Sequence, residues 1–275
     1  MLEALFRLDR AIAVVTGGMG RLGSQYVRVL AEAGASVAVL DLAAPSESLA
    51  SLVDTGRVSA HTVDIVDRAA VQTAMRDVAA RFGPPTILIN NAGLGSPPNA
   101  SADENGPFET YPESSWDVMI DSHLKGAFLV SQAFLTHFRQ AREAHPDLTG
   151  SIVNVSSTYG VVSPDQSVYD YRRRGGATYY KPVGYSVAKS GMLNFTRWLA
   201  EYCAPLGVRV NTLVPGGVRE AAHDPEFVAE YEKRTPLGRM ANDDDYNGAI
   251  VFLASRASAY MTGATLVVDG GWTAR

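Results

Sequence analysis

Residues 11–34 constrain the fold more than any other part of the chain, because a short apolar run, a glycine turn and an amphipathic segment follow one another. Residues 11–16, Ala-Ile-Ala-Val-Val-Thr, lack helical spacing and end at a glycine pair, which is typical of a buried parallel strand entering a turn. Apolar residues then recur at helical spacing up to Gly34, which suits a helix C-terminus. A strand, a glycine turn and a helix in this order form the phosphate cradle of a dinucleotide site.

The glycine turn and the second apolar run together indicate the kind of dinucleotide. Gly17, Gly20 and Gly23 are the key glycines, since glycine lets the backbone approach a pyrophosphate closely. Asp41 directly follows the second run, where a carboxylate accepts hydrogen bonds from both ribose hydroxyls and repels a 2′-phosphate. The sequence therefore predicts NAD rather than NADP, although the guanidinium of Arg21 would tolerate an extra phosphate. The alternative interpretation of the glycines is an ordinary tight turn, and that of Asp41 is a solvated carboxylate at a strand end.

Apolar runs and helical segments alternate along the rest of the chain. Further strands are expected at residues 36–40, 59–63, 86–89, 151–155, 208–213 and 264–268. Helices are expected at residues 67–81, 113–143, 183–203 and 243–254, with a short helix within 42–57 and a long loop at 94–112. The predicted fold class is α/β: a doubly wound, Rossmann-type parallel sheet of seven strands with helices on both faces, in a single domain spanning residues 1–275.

Composition excludes several classes of function. The chain has 24 basic and 29 acidic residues, no lysine-rich tail and no apolar run of about eighteen residues, so nucleic acid and membranes are not expected partners. Its one cysteine, Cys203, excludes an internal disulfide and fits a reducing compartment, so a cytoplasmic location is expected. No metal site is expected, because the histidines lack ligand spacing; they are His61, His123, His137, His145 and His223.

Tyr185 and Lys189 are the pair of residues that most directly indicates chemistry. They are four residues apart in a predicted helix, so the phenol and the ammonium share a face. A phenol titrates near ~10 in water, and a fixed cation beside it favours the phenolate and lowers its pKa. Ser157, at the end of the run 151–155, can hold a substrate oxygen beside that phenol. Taken alone, such a Tyr-Lys pair also occurs by chance in many helices.

The order of these motifs along the chain resembles the short-chain dehydrogenase/reductase family, single-domain type, over nearly the whole length. The resemblance rests on the glycine turn, Asp41, Asn90-Asn91-Ala92-Gly93, the serine pair 156–157 and Tyr185-x-x-x-Lys189. It implies that Tyr185 is the general acid/base, that Ser157 orients the substrate oxygen, and that Lys189 lowers the pKa of Tyr185 and binds the nicotinamide ribose. The cofactor-binding positions it implies are Gly17, Met19, Gly20, Arg21, Leu22, Gly23, Asp41, Leu42, Asp64, Ile65, Asn91, Ala92, Gly93, Tyr185, Lys189, Pro215, Gly216 and Val218.

The chain departs from the family pattern at four places. Arg21 stands where the usual single-domain members have glycine, and Glu220 stands where a threonine commonly holds the nicotinamide amide. His123 replaces the asparagine whose backbone carbonyl holds a water in a proton relay, so His123 is the fourth catalytic candidate. Its carbonyl survives the replacement, and an imidazole titrating near ~6.5 can join the relay. The alternative is a histidine with a structural partner.

The fourth departure is an insertion between Ser157 and Tyr185. Residues 158–184 contain three adjacent arginines, Arg172 to Arg174, and several tyrosines. This composition indicates a lid that binds a polar or anionic substrate, since guanidinium groups fit carboxylates and phosphates. The alternative is a solvated charge run or a subunit contact. A second substrate-side segment, residues 217–240, is expected to be mobile.

The function that this resemblance implies is an NAD(H)-dependent oxidoreductase that interconverts a secondary alcohol and a ketone. The expected small-molecule substrate is a polyol, sugar or sugar acid, and the alternatives are a steroid or hydroxyacyl substrate, an epimerase or dehydratase, and a non-catalytic NAD-binding regulator. The family pairs its long helices across dimers, where Trp198 and Tyr202 are candidate contacts, and the ending at residues 269–272 matches tetrameric members. A homo-oligomer, either dimer or homotetramer, is therefore expected.

Overall fold

The computed structural model of the chain describes residues 2–44, 47–95, 101–176 and 178–274. Seven strands form one parallel sheet in the order β3-β2-β1-β4-β5-β6-β7. The strands are β1 (Ile12–Thr16), β2 (Ser36–Asp41), β3 (Val58–Thr62), β4 (Ile87–Asn90), β5 (Gly150–Val155), β6 (Val208–Pro215) and β7 (Thr265–Val268). Each lies within two residues of its predicted position.

Eleven α-helices surround this sheet in the described residues. They are α1 (Leu2–Phe6), α2 (Arg21–Glu32), α3 (Glu47–Asp54), α4 (Arg68–Phe82), α5 (Glu113–Ile120), α6 (Gly126–Ala144), α7 (Thr158–Val161), α8 (Asp170–Arg174), α9 (Val183–Cys203), α10 (Pro225–Arg234) and α11 (Asn247–Ala254). No helix within those ranges combines the length and apolar character needed to cross a bilayer. The predicted fold class is confirmed: this is a single, Rossmann-like α/β domain.

Helices cover both faces of the sheet because neighbouring strand residues point to opposite sides. Val14 of β1 is fully buried in one core, together with Phe134 of α6 and Leu199 of α9. Val15, the next residue, is fully buried in the other core, with Leu30 of α2 and residues of α11. Strands buried on both faces read as continuous apolar runs, which is why their positions were predictable.

The strand order places a crevice beside β1. Strand β1 pairs with β2 on one side and with β4 on the other, so the chain reverses direction across the sheet at this point. In open parallel sheets, ligands bind at such a switch point, outside the carboxyl ends of the strands. The glycine turn after β1 and the Asn-Asn-Ala-Gly run after β4 both lie at this edge.

The helix predicted over residues 113–143 is interrupted. A π-helical turn, Asp121–Lys125, separates α5 from α6, and the Gly126 N–H donates to the Asp121 carbonyl, five residues back. A Cβ at Gly126 would lie 2.3 Å from Cδ1 of Ile65, so the backbone approaches the loop after β3 closely there. The prediction of one continuous helix is wrong, since local periodicity does not report such tertiary contacts.

Three helices lie where the sequence indicated only loop or lid. Helices α7 and α8, within the insertion, have four and five residues, too few for a helical period to show. Helix α10 lies within the segment predicted to be mobile and buries Val228 and Tyr231. The long loop contains two 3₁₀ turns, Ala102–Asn105 and Phe108–Thr110, while its residues 96–100 lie outside the described residues.

Candidate active site

A cleft of about 900 Å³ opens at the carboxyl ends of the strands and receives residues from the loops after β1 to β6. It is lined by every residue predicted to bind the cofactor or to act in catalysis except His123. Ser157, Tyr185 and Lys189 therefore share one cleft with the glycine turn. Helix α9, the lid and the segment 217–240 complete its walls, with side chains that include Tyr159, Tyr169, Lys181, His223, Phe227 and Tyr231.

Two of the three glycines of this turn pack too closely against neighbouring backbone atoms to carry a side chain. Gly17 has φ +64°, a conformation that favours glycine. A Cβ at Gly23 would lie 2.0 Å from the Gly17 carbonyl oxygen, whereas a Cβ at Gly20 would lie 3.3 Å from the same atom. The N-terminus of α2 begins directly after Gly20, so its N–H groups and positive dipole end face the cleft. These features fit a pyrophosphate. Of the three predicted glycines, Gly23 has the least room for a side chain.

The carboxylate of Asp41 is fixed at the end of β2. Its Oδ2 accepts a hydrogen bond from the Met19 N–H at 2.8 Å, and its Oδ1 accepts one from the Ala43 N–H at 2.9 Å. A carboxylate has about four acceptor positions, so capacity for two ribose hydroxyls remains. The residue thus ties β2 to the glycine turn and lines the cleft where a ribose would lie.

Arg21 also lines the cleft, but its guanidinium is already engaged. It forms ion pairs with Asp243 at 2.5 Å and with Glu220 at 3.4 Å, and it donates a hydrogen bond to the Arg219 carbonyl. The two carboxylates oppose the positive potential that a 2′-phosphate would need. The same contacts join the cofactor side of the cleft to the segment 217–240.

The Asn-Asn-Ala-Gly run fastens β4 to the turn after β1. The Asn91 side-chain amide donates to the Thr16 carbonyl at 3.1 Å and to the Gly17 carbonyl at 3.0 Å. The Thr16 hydroxyl in turn accepts from the N–H groups of Asn91 and Ala92, both at 3.1 Å. Buried polar groups need such partners, so these residues define the shape of the cleft floor.

Strand β5 and helix α9 bring Ser157, Tyr185 and Lys189 together. The Lys189 ammonium donates to the Val155 carbonyl at 2.9 Å, and the Ser156 hydroxyl donates to the Lys189 carbonyl at 2.7 Å. The ammonium nitrogen lies 5.9 Å from the centroid of the Tyr185 ring. The Ser157 hydroxyl accepts from the Tyr159 N–H at 3.2 Å and also hydrogen-bonds the Tyr185 side chain. One phenol, one hydroxyl and one ammonium therefore face a common space.

Burial is the main influence on the pKa values of this cluster. Burial raises the pKa of Tyr185, and the hydrogen bond with Ser157 opposes this only in part. Burial also lowers the pKa of Lys189, to about 8. The effect of Lys189 on the pKa of Tyr185 stays a prediction, because the causes of the shift seen here are burial and the Ser157 hydrogen bond.

His123 lies behind the cleft wall. Its ring is buried and donates a hydrogen bond of 2.9 Å from Nε2 to the Leu94 carbonyl. It packs edge-on against Tyr185 at a centroid distance of 5.6 Å. Burial lowers its pKa to about 3, and the cations of Lys189 and Lys181 contribute in the same direction. The expectation of an imidazole titrating near its ordinary pKa is wrong. His123 is a neutral ring that supports Tyr185 from the side.

The three lid arginines are not part of the cleft lining. Arg173 donates to the carbonyls of Gln166 and Tyr179 and pairs with Asp170, so it holds the lid together. Arg174 pairs with Glu226 of α10, and the guanidinium of Arg172 lies 4.3 Å from the centroid of the Tyr179 ring. Contrary to the expectation that they bind an anionic substrate, these cations stabilise the lid and its contact with α10. The cation that this insertion contributes to the cleft is Lys181, which the sequence analysis missed.

Aromatic side chains form one wall of the cleft. Tyr169 of the lid packs on Phe227 of α10 at a centroid distance of 5.7 Å, and Tyr231 stacks on Trp272 at 4.1 Å. Tyr231 also accepts a hydrogen bond of 2.7 Å from the Gly217 N–H through its hydroxyl. Phe227 and Tyr231 are four apart in α10, and that spacing was the available signal for them.

Comparison with known proteins decides the family. Residues 19–273 match a family model described as enoyl-(acyl carrier protein) reductase, which is a model of short-chain dehydrogenases/reductases. The chain belongs to the short-chain dehydrogenase/reductase family. Its members' activity makes it an oxidoreductase that acts on CH–OH groups.

Two curated short-chain dehydrogenases are similar to it over nearly their full length. The cis-4-hydroxycyclohexanecarboxylate dehydrogenase of Sinomonas cyclohexanicum is 34% identical, with 96% of each chain covered. The D-threitol dehydrogenase of Mycolicibacterium smegmatis is also 34% identical, with 98% of this chain and 95% of the relative covered. The first name refers to a hydroxy acid and the second to a neutral polyol.

Two solved structures that are similar to this chain share its fold and contain nicotinamide cofactors. A short-chain dehydrogenase from Leptospira borgpetersenii with bound NAD⁺ has a TM-score of 0.82 and 33% identity, over 99% of this chain and 96% of that one. A gluconate 5-dehydrogenase from Burkholderia cenocepacia in complex with NADP and tartrate has a TM-score of 0.83 and 28% identity, with both chains covered fully at 100%. Both forms of the cofactor therefore occur among its structural neighbours.

The different clearances at the glycines lead to a prediction. Gly23→Ala should abolish or severely weaken NADH binding, because its Cβ would overlap the Gly17 carbonyl oxygen at 2.0 Å. Gly248→Ala, in α11 and outside the cleft, is the matched control and should bind NADH as the wild type does, because a Cβ there would meet nothing within 4 Å. NADH fluorescence titration measures both, with thermal melting as the check on folding. Equal losses in the two variants would contradict the assignment of Gly23 as the strict position.

Proposed function

We propose that the chain is an NAD(H)-dependent oxidoreductase that interconverts a secondary alcohol and a ketone, with Tyr185 as the general acid/base. The observation that carries this proposal is the meeting of Ser157, Tyr185 and Lys189 in the cleft that also holds the glycine turn. A regulator that only binds the cofactor has no use for that cluster. An epimerase or dehydratase of this type would need a further unit for a nucleotide sugar, whereas the described residues form one Rossmann-like domain.

In the oxidation direction, the chain's own residues orient the alcohol and remove its proton. A bound nicotinamide supplies the hydride acceptor. The Ser157 hydroxyl holds the carbinol oxygen next to Tyr185, and the Tyr185 phenolate accepts the proton from that oxygen. Lys189, fixed on the Val155 carbonyl, compensates the negative charge on the phenolate. In the reduction direction, Tyr185 returns the proton as the phenol.

We propose NAD rather than NADP as the preferred cofactor. Asp41 lines the cleft at the end of β2 with both oxygens fixed by backbone N–H groups. Its charge would repel a 2′-phosphate, and Arg21 offers little compensation because Asp243 and Glu220 already pair with it. The binding positions that the sequence predicted, from Gly17 to Val218, serve this cofactor in the proposal.

The proposed substrates are polyols, sugars and sugar acids. The similarity to a threitol dehydrogenase, a gluconate 5-dehydrogenase and a hydroxycyclohexanecarboxylate dehydrogenase supports this class. The alternative of a hydroxyacyl or steroid substrate is supported by the description of the matching family model and by the aromatic wall of the cleft. Lys181 and His223 among the lining residues favour the more polar class.

Self-association through α6 and α9 is a further proposal. Trp198 is 62% exposed, Phe128 is 41% exposed, and both line a surface groove between these helices. Trp198 also stacks on Tyr202 at a centroid distance of 5.4 Å, so the aromatic surface is continuous. Exposed apolar surface of this kind marks an interaction site. The number of subunits and the cytoplasmic location stay predictions.

The assignment of Tyr185 as general acid/base predicts what happens when its phenol oxygen is removed. Tyr185→Phe should lower kcat by about 10²- to 10⁴-fold, because positioned proton transfer contributes that much. NADH binding should persist, since the phenol does not form the glycine turn. Steady-state assays on a panel of alcohols and an NADH titration measure the two effects. Tyr180→Phe, a lid tyrosine outside the cleft, is the control; a Tyr185→Phe enzyme with wild-type kcat would refute the assignment.

Cofactor choice provides a second prediction. Asp41→Asn should raise affinity for NADPH relative to NADH by at least about tenfold, because it removes a negative charge close to the expected 2′-phosphate. Fluorescence titrations with both reduced cofactors measure this ratio. Asp54→Asn, on the end of α3 away from the cleft, should leave the ratio unchanged. An unchanged ratio in Asp41→Asn would show that another group sets the preference.

The proposed interface predicts a change in assembly. Trp198→Glu should shift the protein to a smaller species in sedimentation velocity, since a carboxylate in an apolar interface is costly to desolvate. Leu2→Glu, which changes an exposed residue of α1, should leave the sedimentation coefficient unchanged. If Trp198→Glu sediments like the wild type, the face of α6 and α9 is not the interface.

A further inference from the structure

Lys181 is a cation beside the catalytic candidate that the proton-transfer scheme does not use. It stands two residues before α9, at the end of the lid insertion, and it lines the cleft. Its ammonium nitrogen lies 4.7 Å from the centroid of the Tyr185 ring, compared with 5.9 Å for Lys189. The group therefore lies within reach of a small molecule whose hydroxyl contacts Tyr185.

The lid fixes the backbone of Lys181 in this place. The Lys181 N–H donates to the side-chain carbonyl of Gln166 at 2.9 Å, and the Tyr180 N–H donates to the Asn105 carbonyl at 2.8 Å. Arg173 joins the two ends of the lid through the carbonyls of Gln166 and Tyr179. A lid built in this way presents the ammonium to the cleft at a defined position, which is the requirement for a specificity group.

The charge of Lys181 is poorly compensated by the protein. Within the part of the chain that the structure describes, no carboxylate oxygen lies within 4.0 Å of its ammonium nitrogen. Glu104 acts on it from farther away and accepts a hydrogen bond of 2.8 Å from the Ser115 hydroxyl. Burial lowers the pKa of Lys181, so its surroundings disfavour the charged form. A bound anion would relieve that cost.

Several other charged groups of the cleft have partners of their own. Glu220 pairs with Arg21, Asp121 pairs with Lys125, and the Lys189 ammonium donates to a backbone carbonyl. The lid arginines bind within the lid or to α10, as described above. Lys181 is thus the cation on the substrate side that an incoming anion would meet next to Tyr185.

We propose that Lys181 binds a carboxylate of the substrate, so that this enzyme acts on compact hydroxy acids in preference to neutral polyols. The inference rests on the proposed function, since it takes Tyr185 as the group that contacts the reacting oxygen. A substrate with a carboxylate and a secondary hydroxyl a few bonds apart spans the two contacts. The aromatic walls keep water from screening the ion pair. A neutral polyol leaves the ammonium without an anion, so its binding free energy is less favourable.

The test compares acids with their own amides. The substrates are cis-4-hydroxycyclohexanecarboxylate and D-gluconate, each against its carboxamide, which keeps the shape and removes the charge. Lys181→Met should raise KM for the active acid by about 10- to 100-fold, the value of a charge-assisted hydrogen bond, with a much smaller change in kcat. KM for the amide should change by less than about threefold. Lys181→Arg should retain most of the preference for the acid.

Controls separate this inference from the proposed function and from misfolding. Lys233→Met, which removes an exposed lysine of α10, should behave as the wild type. If Lys181→Met raises KM equally for acid and amide, or leaves KM for the acid unchanged, the inference about Lys181 is overturned. Turnover of these alcohols by the wild type would still support the proposed oxidoreductase. If the wild type oxidises none of these alcohols, calorimetric binding of acid and amide to the NADH complex still decides the role of Lys181. The role of Lys181 would be overturned if Lys181→Met binds the acid as tightly as the wild type and Lys181→Arg do.

Discussion

The attachment of α9 to the end of β5 is the constraint on which the site depends. The Lys189 ammonium is bound to the Val155 carbonyl and the Ser156 hydroxyl is bound to the Lys189 carbonyl, so strand and helix hold each other through two buried hydrogen bonds. Tyr185 lies one turn before Lys189, and Ser157 follows Ser156 directly. Because the strand and the helix are both packed elements of the core, the hydroxyl and the phenol approach the same space with little freedom.

The lid adds specificity to this fixed centre. In the sequence its arginines resemble anion ligands. In the structure they bind other groups of the lid and Glu226 of α10 instead. Among the described residues of the lid, Lys181 is then the cation that lines the cleft. A half-buried cation with no carboxylate oxygen within 4.0 Å in the described part of the chain costs free energy, and proteins retain such groups at functional sites. In this account, the insertion makes the enzyme selective for substrates with a negative charge.

The sequence predicted the sheet well because its strands are short, rich in apolar residues and flanked by glycines, all of which are local signals. It also predicted which motifs meet in the cleft, since parallel strands place their carboxyl ends at one edge. The π turn before Gly126, the partners of Arg173 and the position of Lys181 arise from tertiary contacts that no local pattern reports. The raised pKa of Tyr185 and the neutral His123 were missed for the same reason, because burial rather than the neighbouring charge dominates both.

The most direct test of the account is a crystal structure of the ternary complex with NADH and a carboxylate-bearing hydroxy acid. The carbinol oxygen should lie within hydrogen-bonding distance, about 3 Å, of both Ser157 Oγ and Tyr185 Oη. The nicotinamide should lie on the far side of the same carbon. A substrate oxygen bound away from both hydroxyls, with the nicotinamide still in the cleft, would contradict the claim that this cluster performs the proton transfer.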